Sequence, residues 1–154
     1  MKIWFDTEFI EDGRTIQPLS IGAIREDGAT FYAEANWSYR DGASQWVKDN
    51  VFPHLLGKEA ERSRKDIAAS LVEFSGTKPE FWAYYCSYDW VMLCQIFGTM
   101  MDLPKHWPMF CNDVKQLCYS MGNPKLPEQL STEHHALSDA IWTRDAYAFL
   151  KRVP

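Results

Sequence analysis

Three apolar segments near the N-terminus are joined by short turns, and this arrangement restricts the fold more than any other feature of the chain. Residues 2–9 and 18–25 are rich in the β-branched and aromatic side chains that favour strands. Asp27-Gly28 predicts a tight turn into a third strand at residues 29–35. Strands connected in this way pair antiparallel, and we expect the first strand to lie at the centre of the sheet.

The rest of the chain alternates helical patterns with short strands. We expect an α/β fold in which the three antiparallel strands are followed by an α-β-α-β-α order, giving a five-stranded mixed sheet flanked by helices. No repeat or linker interrupts the chain, which predicts a single domain over residues 1–154. The predicted helices are residues 43–56, 63–74, 113–121, about 134–151 and one beginning near Ser87, and the further strands are 80–85 and 109–111.

Composition and charge limit the classes of function. The net charge is −5, whereas proteins that hold long stretches of duplex by phosphate contacts usually carry a basic excess. A site that grips only a strand end through metal ions is still compatible, because the ions supply positive charge. There is no membrane-spanning apolar run and no signal peptide, so we expect a cytoplasmic protein with no membrane partner.

The cysteines and two of the histidines do not predict a zinc site. No C-x-x-C pair is present, and His54 and His106 lack the close spacing that zinc ligands need. We expect reduced thiols, several of them in the core, at Cys86, Cys94, Cys111 and Cys118.

Asp6 and Glu8 lie two residues apart in the first predicted strand, so both side chains project from the same face. Two neighbouring carboxylates repel each other, and partial burial adds a desolvation penalty that a divalent cation would relieve. An exposed acidic strand end is the alternative interpretation of this pair.

Asp89 lies in the first turn of a predicted helix, where acidic residues are common because they stabilise the helix dipole. That structural role would be sufficient by itself. However, the helix follows the predicted strand at residues 80–85, and such a strand-to-helix turn in an α/β sheet faces the crevice at the strand ends.

His134 and Asp139 are five residues apart, roughly 140° around an ideal helix, so they cannot share a helical face. They can converge if His134 precedes the helix and Asp139 lies within it. Ser131 or Thr132 is the expected N-cap. The neighbouring His135 remains a rival for any role given to His134.

Three motifs occur in order along the chain: Phe5-Asp6-Thr7-Glu8-Phe9, Tyr88-Asp89 and His134-x-Ala136-x-x-Asp139. Together they resemble those of a known superfamily, the DEDDh 3′–5′ exonucleases, which includes RNase T, oligoribonuclease and a bacterial polymerase proofreading subunit. The similarity covers residues 3–150 and is greatest to small stand-alone bacterial exoribonucleases. Tyr85 is a departure, because many members have an Asn four residues before the second-motif Asp.

The resemblance implies an RNase-H-like fold and hydrolysis by two divalent metal ions, Mg²⁺ or Mn²⁺. Asp6 would bridge both ions, Glu8 and Asp139 would hold the ion on the side of the attacking water, and Asp89 would act on the other. His134 would be the general base, since an imidazole suits proton removal near neutral pH.

The expected substrate is a nucleic-acid 3′ end, with single-stranded RNA or a 3′ overhang favoured and nucleoside 5′-monophosphates as products. A DNA-specific exonuclease and a catalytically silent RNase-H-like binding module are the alternatives. Many relatives are homodimers, but a monomer is also compatible with the sequence. Side chains considered for base stacking are Phe9 and Trp90, and those considered for phosphate contacts are Arg14 and Arg144.

Overall fold

The computed structural model describes residues 1–153 and contains one mixed sheet with helices on both faces. The strand order is β4-β3-β2-β1-β5-β6, so β1 lies in the interior of the sheet, as the sequence predicted. The strands are β1 (Lys2–Glu11), β2 (Ile16–Arg25), β3 (Thr30–Ala35), β4 (Glu61–Arg62), β5 (Glu80–Ala83) and β6 (Asn112–Asp113).

Within residues 1–153 the sheet has six strands, so the expectation of five is wrong by one. The additional strand is β4, whose two residues pair parallel with Glu34 and Ala35 of β3. Such a short strand has no apolar alternation from which it could be predicted. The first three strands are antiparallel as expected, whereas β5 runs parallel to β1 and β6 parallel to β5.

Two predicted elements are misplaced. The helix expected over residues 43–56 is only six residues long, because Pro53 lies in the 3₁₀ turn Phe52–His54 that follows it. The last strand is at Asn112–Asp113 and not at residues 109–111, since the pairing register with β5 places Asn112 opposite Trp82. The helices are α1 (Gln45–Asn50), α2 (Arg64–Ser75), α3 (Ser87–Phe97), α4 (Val114–Ser120) and α5 (Ala136–Leu150).

Side chains along β1 alternate between the two faces of the sheet, and this alternation determines which helices each of them faces. Ile3 and Phe5 belong to the core cluster that contains the buried faces of α2 and α3. Trp4 belongs to the cluster on the opposite face, which contains the buried residues of α4 and α5. Continuing the alternation, Thr7 points toward α3, whereas Asp6 points toward α5.

The N-terminal end of α5 lies directly on the sheet at Gly22, the residue of β2 that pairs with Asp6. A Cβ at position 22 would collide with backbone atoms of Ala136 and Leu137, so only glycine allows this approach. The first turn of α5 is thereby placed beside Asp6. Within residues 1–153, none of the helices is both long and apolar enough to cross a membrane.

Candidate active site

The two acidic residues of β1 open onto a cleft between α3 and α5. Its walls come from β1, from the segment that joins β5 to α3, and from the loop and first turns of α5. All five residues singled out from the sequence line this one cleft: Asp6, Glu8, Asp89, His134 and Asp139.

Asp6 and Glu8 lie in a strongly unfavourable environment for negative charge. Burial raises the pKa of Asp6 well above its ordinary value, and the charges of Asp89, Glu8 and Asp139 raise it further. Burial also raises the pKa of Glu8 to about 8, with further contributions from Asp139 and Asp89. An acidic strand end exposed to solvent would show neither effect, so that alternative is not what the structure contains.

Asp89 reaches the cleft from α3 and is held by β1. Its Oδ1 accepts hydrogen bonds from the Thr7 amide at 3.0 Å and from the Thr7 hydroxyl at 2.7 Å. Burial raises the pKa of Asp89 to about 6, although both Thr7 bonds oppose the increase. This function of Thr7 was not predicted from the sequence. Its position between two acids, on the opposite face of the strand, was the available signal.

Replacing Thr7 with Val should destabilise the fold, because the nearly isosteric side chain removes one of the two donors to a buried carboxylate. We expect the free energy of unfolding to fall by about 1–3 kcal/mol. Denaturant titration of Thr7→Val and Thr7→Ser measures this, since Ser retains the hydroxyl. A Val variant at least as stable as the Ser variant would show that the hydroxyl contributes nothing.

His134 precedes α5, as the spacing required, and Asp139 lies in its first turn. The backbone of His134 has a positive φ of 61°, which turns the chain sharply before the helix. Ligand atoms of Glu8, His134 and Asp139 all lie within 4.8 Å of one another. Burial is the main cause that raises the pKa of Asp139, while its hydrogen bond from Gln129 opposes the increase.

His135 is not among the residues that line the cleft, and it caps α5. Its Nδ1 accepts a hydrogen bond from the Ser138 amide at 3.4 Å, so the expected capping by Ser131 or Thr132 is wrong. Its ring stacks on Tyr32, with centroids 4.6 Å apart. The geometry therefore separates the two histidines that spacing alone could not distinguish.

Aromatic side chains surround the acidic centre. The pairing of β1 with β2 is irregular between Glu8 and Phe9, and this irregularity lets Phe9 line the same cleft as Glu8. The Phe9 ring stacks on Tyr88 at 5.5 Å, and Trp46 approaches His134 edge-on at 4.9 Å. Trp90 instead packs in the core against Phe81.

Two pockets adjoin this cleft, one sharing Asp139 with it and the other sharing Glu8. Among the described residues that line the cleft and these two pockets there is no lysine or arginine. Arg14 lies in the exposed β1–β2 turn, and Arg144 pairs with Asp145 at 2.8 Å. Neither arginine lines the cleft. The described chain therefore places no permanently charged cationic side chain beside the four carboxylates.

A family model of the 3'-5' exoribonuclease Rv2179c-like domain matches residues 1–150. The chain belongs to this family. A curated relative of this chain, the 3'-5' exoribonuclease Rv2179c of Mycobacterium tuberculosis, is 40% identical to it over 146 residues. That match covers 91% of this chain and 87% of the relative.

Solved structures share the fold of this Rv2179c-like domain. Exonuclease I in its apo form superposes with a TM-score of 0.65 at 18% identity, covering 97% of this chain and 41% of exonuclease I. A 3'-exonuclease described for 3'-end-specific recognition of a histone mRNA stem-loop gives 0.58 at 10% identity, covering 97% of this chain and 81% of that one. The expected RNase-H-like exonuclease fold and the resemblance to DEDDh exonucleases are confirmed.

The donor set in this Rv2179c-like domain fits a hard divalent cation. Carboxylate oxygens are the ligands that Mg²⁺ and Mn²⁺ prefer, and four carboxylates converge here. The four cysteines contribute no ligand to this cluster and are free thiols, two of them buried, namely Cys94 and Cys118. Repulsion among these four carboxylates is the physical reason that this site would favour a bound cation.

Stability of the metal-free protein should decrease as pH rises. An acid whose pKa is higher in the folded state stabilises the fold fully below its unfolded pKa of about 4, and that stability is lost as pH rises through the folded pKa. The folded pKa values are about 8 for Glu8 and about 6 for Asp89. We expect the thermal midpoint in EDTA to fall by about 5–10 °C between about pH 5 and about pH 8.

Calorimetry with and without Mg²⁺ checks this pH dependence. Added Mg²⁺ should reduce the fall, because a bound cation stabilises the ionised carboxylates. A midpoint in EDTA that is constant or rises over this range would contradict the clustering of charge.

Proposed function

We propose that this protein is a 3′–5′ exoribonuclease that degrades single-stranded RNA or 3′ overhangs to nucleoside 5′-monophosphates. The observation that carries the proposal is the convergence of four carboxylates, from β1, α3 and α5, in one cleft beside His134. Membership of the exoribonuclease family supports the same reaction. We take residues 1–154 as one exonuclease domain.

The proposed cofactors are two divalent ions, Mg²⁺ or Mn²⁺, held by Asp6, Glu8, Asp89 and Asp139. Asp6 would be shared between the ions, with Glu8 and Asp139 on one side and Asp89 on the other. When bound, such ions supply electrostatic stabilisation of the attacking and leaving oxygens in an in-line phosphoryl displacement.

His134 is the proposed general base. The carboxylates of Glu8 and Asp139 lie close enough to its ring to stabilise the imidazolium that forms. The imidazole removes a proton from the attacking water, and the water oxygen bonds to phosphorus. The bond from phosphorus to the 3′ oxygen of the preceding nucleotide breaks, and that oxygen takes a proton from solvent to become a hydroxyl. Asp89 contributes through its fixed position, because both Thr7 donors hold the same carboxylate oxygen.

The lining of the cleft supports a single-stranded 3′ end as substrate. Phe9, Tyr88 and the exposed ring of Tyr85 offer aromatic faces on which unpaired bases can stack. Without lysine or arginine among these lining residues, the cleft offers few direct contacts to a long phosphate backbone. Both properties favour binding of a few nucleotides at a strand end over binding of an extended duplex.

The decisive experiment follows the cleavage of 5′-labelled RNA and DNA oligonucleotides of identical sequence with Mg²⁺ or Mn²⁺. We expect a ladder that shortens from the 3′ end, faster on RNA, and no cleavage in EDTA. Faster cleavage of DNA would favour an exodeoxyribonuclease. Binding without cleavage of either strand would favour the silent binding module, and persistent activity in EDTA would exclude the metal mechanism.

Two further parts of the proposal concern the protein in the cell. We propose that it acts in the cytoplasm, and that it forms a homodimer like many DEDDh exonucleases. Light scattering on the purified protein gives the molar mass that separates a dimer from a monomer. Fractionation of cells that express a tagged chain tests the location.

A further inference from the structure

The loop before α5 is attached to that helix at two points. The Gln129 amide Nε2 donates a hydrogen bond to Asp139 Oδ1 at 2.5 Å. Two residues earlier, the Pro127 carbonyl oxygen accepts a hydrogen bond from Trp142 Nε1 at 3.0 Å. Residues 127–129 therefore contact α5 through one side chain and one backbone group.

The two attachment points on α5 are neighbours. Asp139 and Trp142 are three residues apart, so they lie on the same face of the helix. Gln129 and Trp142 line a pocket that adjoins the cleft and shares Asp139 with it. Leu126 of the same loop packs against the core cluster that includes α5, whereas Leu130, directly after Gln129, is 96% exposed. The two hydrogen bonds with α5 therefore join the more exposed end of the loop, where Gln129 lies, to the helix.

We propose that Gln129 is a positioning residue that orients Asp139 for metal binding, with Trp142 as the anchor that keeps Gln129 in place. This inference rests on the proposed function, because it assumes that Asp139 is a metal ligand. By donating to one carboxylate oxygen, the amide restricts rotation of the carboxylate and leaves the second oxygen available to a cation. A neutral amide does this without adding a positive charge that would compete with the cation.

The expected loss of metal affinity follows from how hydrogen bonds to a metal ligand affect metal binding. Removing the partner of a ligating carboxylate typically weakens metal binding or activity about 10-fold to 100-fold. A purely structural role for Gln129 predicts a different result, namely lower stability with unchanged metal affinity. Metal affinity and unfolding temperature therefore have to be measured on the same variants.

The test uses Gln129→Met, which preserves side-chain length and removes the donor. Calorimetric titration of the full chain with Mn²⁺, without nucleic acid, should show a dissociation constant raised about 10-fold to 100-fold. At saturating Mn²⁺, kcat should return to within about threefold of the parent, because the catalytic groups are intact. Lys125→Ala is the matched control, an exposed change in the same loop that should leave the Mn²⁺ affinity unchanged.

Trp142→Phe provides a second, independent variant. It retains an aromatic ring against Tyr84, whose ring centroid lies 5.0 Å from that of Trp142, but removes the donor to Pro127. We expect weaker Mn²⁺ binding in Trp142→Phe and no additional weakening when it is combined with Gln129→Met, since both changes act through one contact.

The outcomes are distinguishable. A Gln129→Met variant that binds Mn²⁺ within about twofold of the parent would overturn the positioning role alone. Additive effects of the two substitutions would overturn the role of Trp142 as the anchor. A parent protein that binds no Mn²⁺ would overturn the proposed metal centre and this inference with it.

Discussion

Asp6→Asn should abolish hydrolysis and also stabilise the metal-free protein. Removing a residue that only hydrogen-bonds to a metal ligand lowers activity by up to about 100-fold. The loss in Asp6→Asn should be larger, because Asp6 is itself the proposed ligand common to both ions. The gain in stability has a different cause. Asn has nearly the same shape as Asp and carries no charge. It therefore removes both causes that raise the pKa of Asp6, namely the burial of a charge and the repulsion from Asp89, Glu8 and Asp139.

Two measurements on Asp6→Asn separate these effects. In EDTA at neutral pH, the thermal midpoint of the variant should lie about 3–6 °C above that of the parent. Added Mg²⁺ should raise the midpoint of the parent and leave that of the variant nearly unchanged, because the variant has lost a ligand. Cleavage of a labelled RNA oligonucleotide gives the activity of both.

Asp41→Asn is the control for Asp6→Asn, since Asp41 is an exposed acid in a 3₁₀ turn outside the cleft. It should change neither activity nor the response to Mg²⁺. An Asp6→Asn variant that cleaves RNA as fast as the parent would exclude the metal model. A variant less stable than the parent in EDTA would exclude the electrostatic explanation.

Much of the site could be predicted because its residues follow from short-range patterns. Two acids at alternate positions of a strand must share a face, and the spacing of His134 and Asp139 required the histidine to precede the helix. The structure agrees with both arguments. The antiparallel order of β1, β2 and β3 was equally local, since tight turns determined it.

The unpredicted features depend on contacts between residues far apart in the chain. The bond from Thr7 to Asp89 spans 82 residues, and no local pattern specifies it. The strand β4 exists only because the chain returns beside β3. The orientation of Phe9 depends on an irregular pairing with β2, which strict alternation along β1 could not anticipate.

His134→Asn should lower kcat by about 100-fold to 10,000-fold with little effect on stability, because general-base catalysis contributes on that scale. Asn is the appropriate replacement, since His134 has a φ of 61° and Asn tolerates this left-handed backbone region better than most residues. An Ala variant would combine backbone strain with the loss of the imidazole. The imidazole is therefore the main group that the Asn variant removes.

His135→Asn is the matched control for His134→Asn, because Asn is a favourable N-cap and can replace the capping bond of His135 to the Ser138 amide. We expect this variant to retain kcat within about threefold of the parent and to lose some stability with the Tyr32 stack. Single-turnover cleavage at saturating Mg²⁺ measures both variants without interference from product release. If His135→Asn slows cleavage more than His134→Asn does, the base is His135, and its N-cap bond to the Ser138 amide cannot represent the catalytic state.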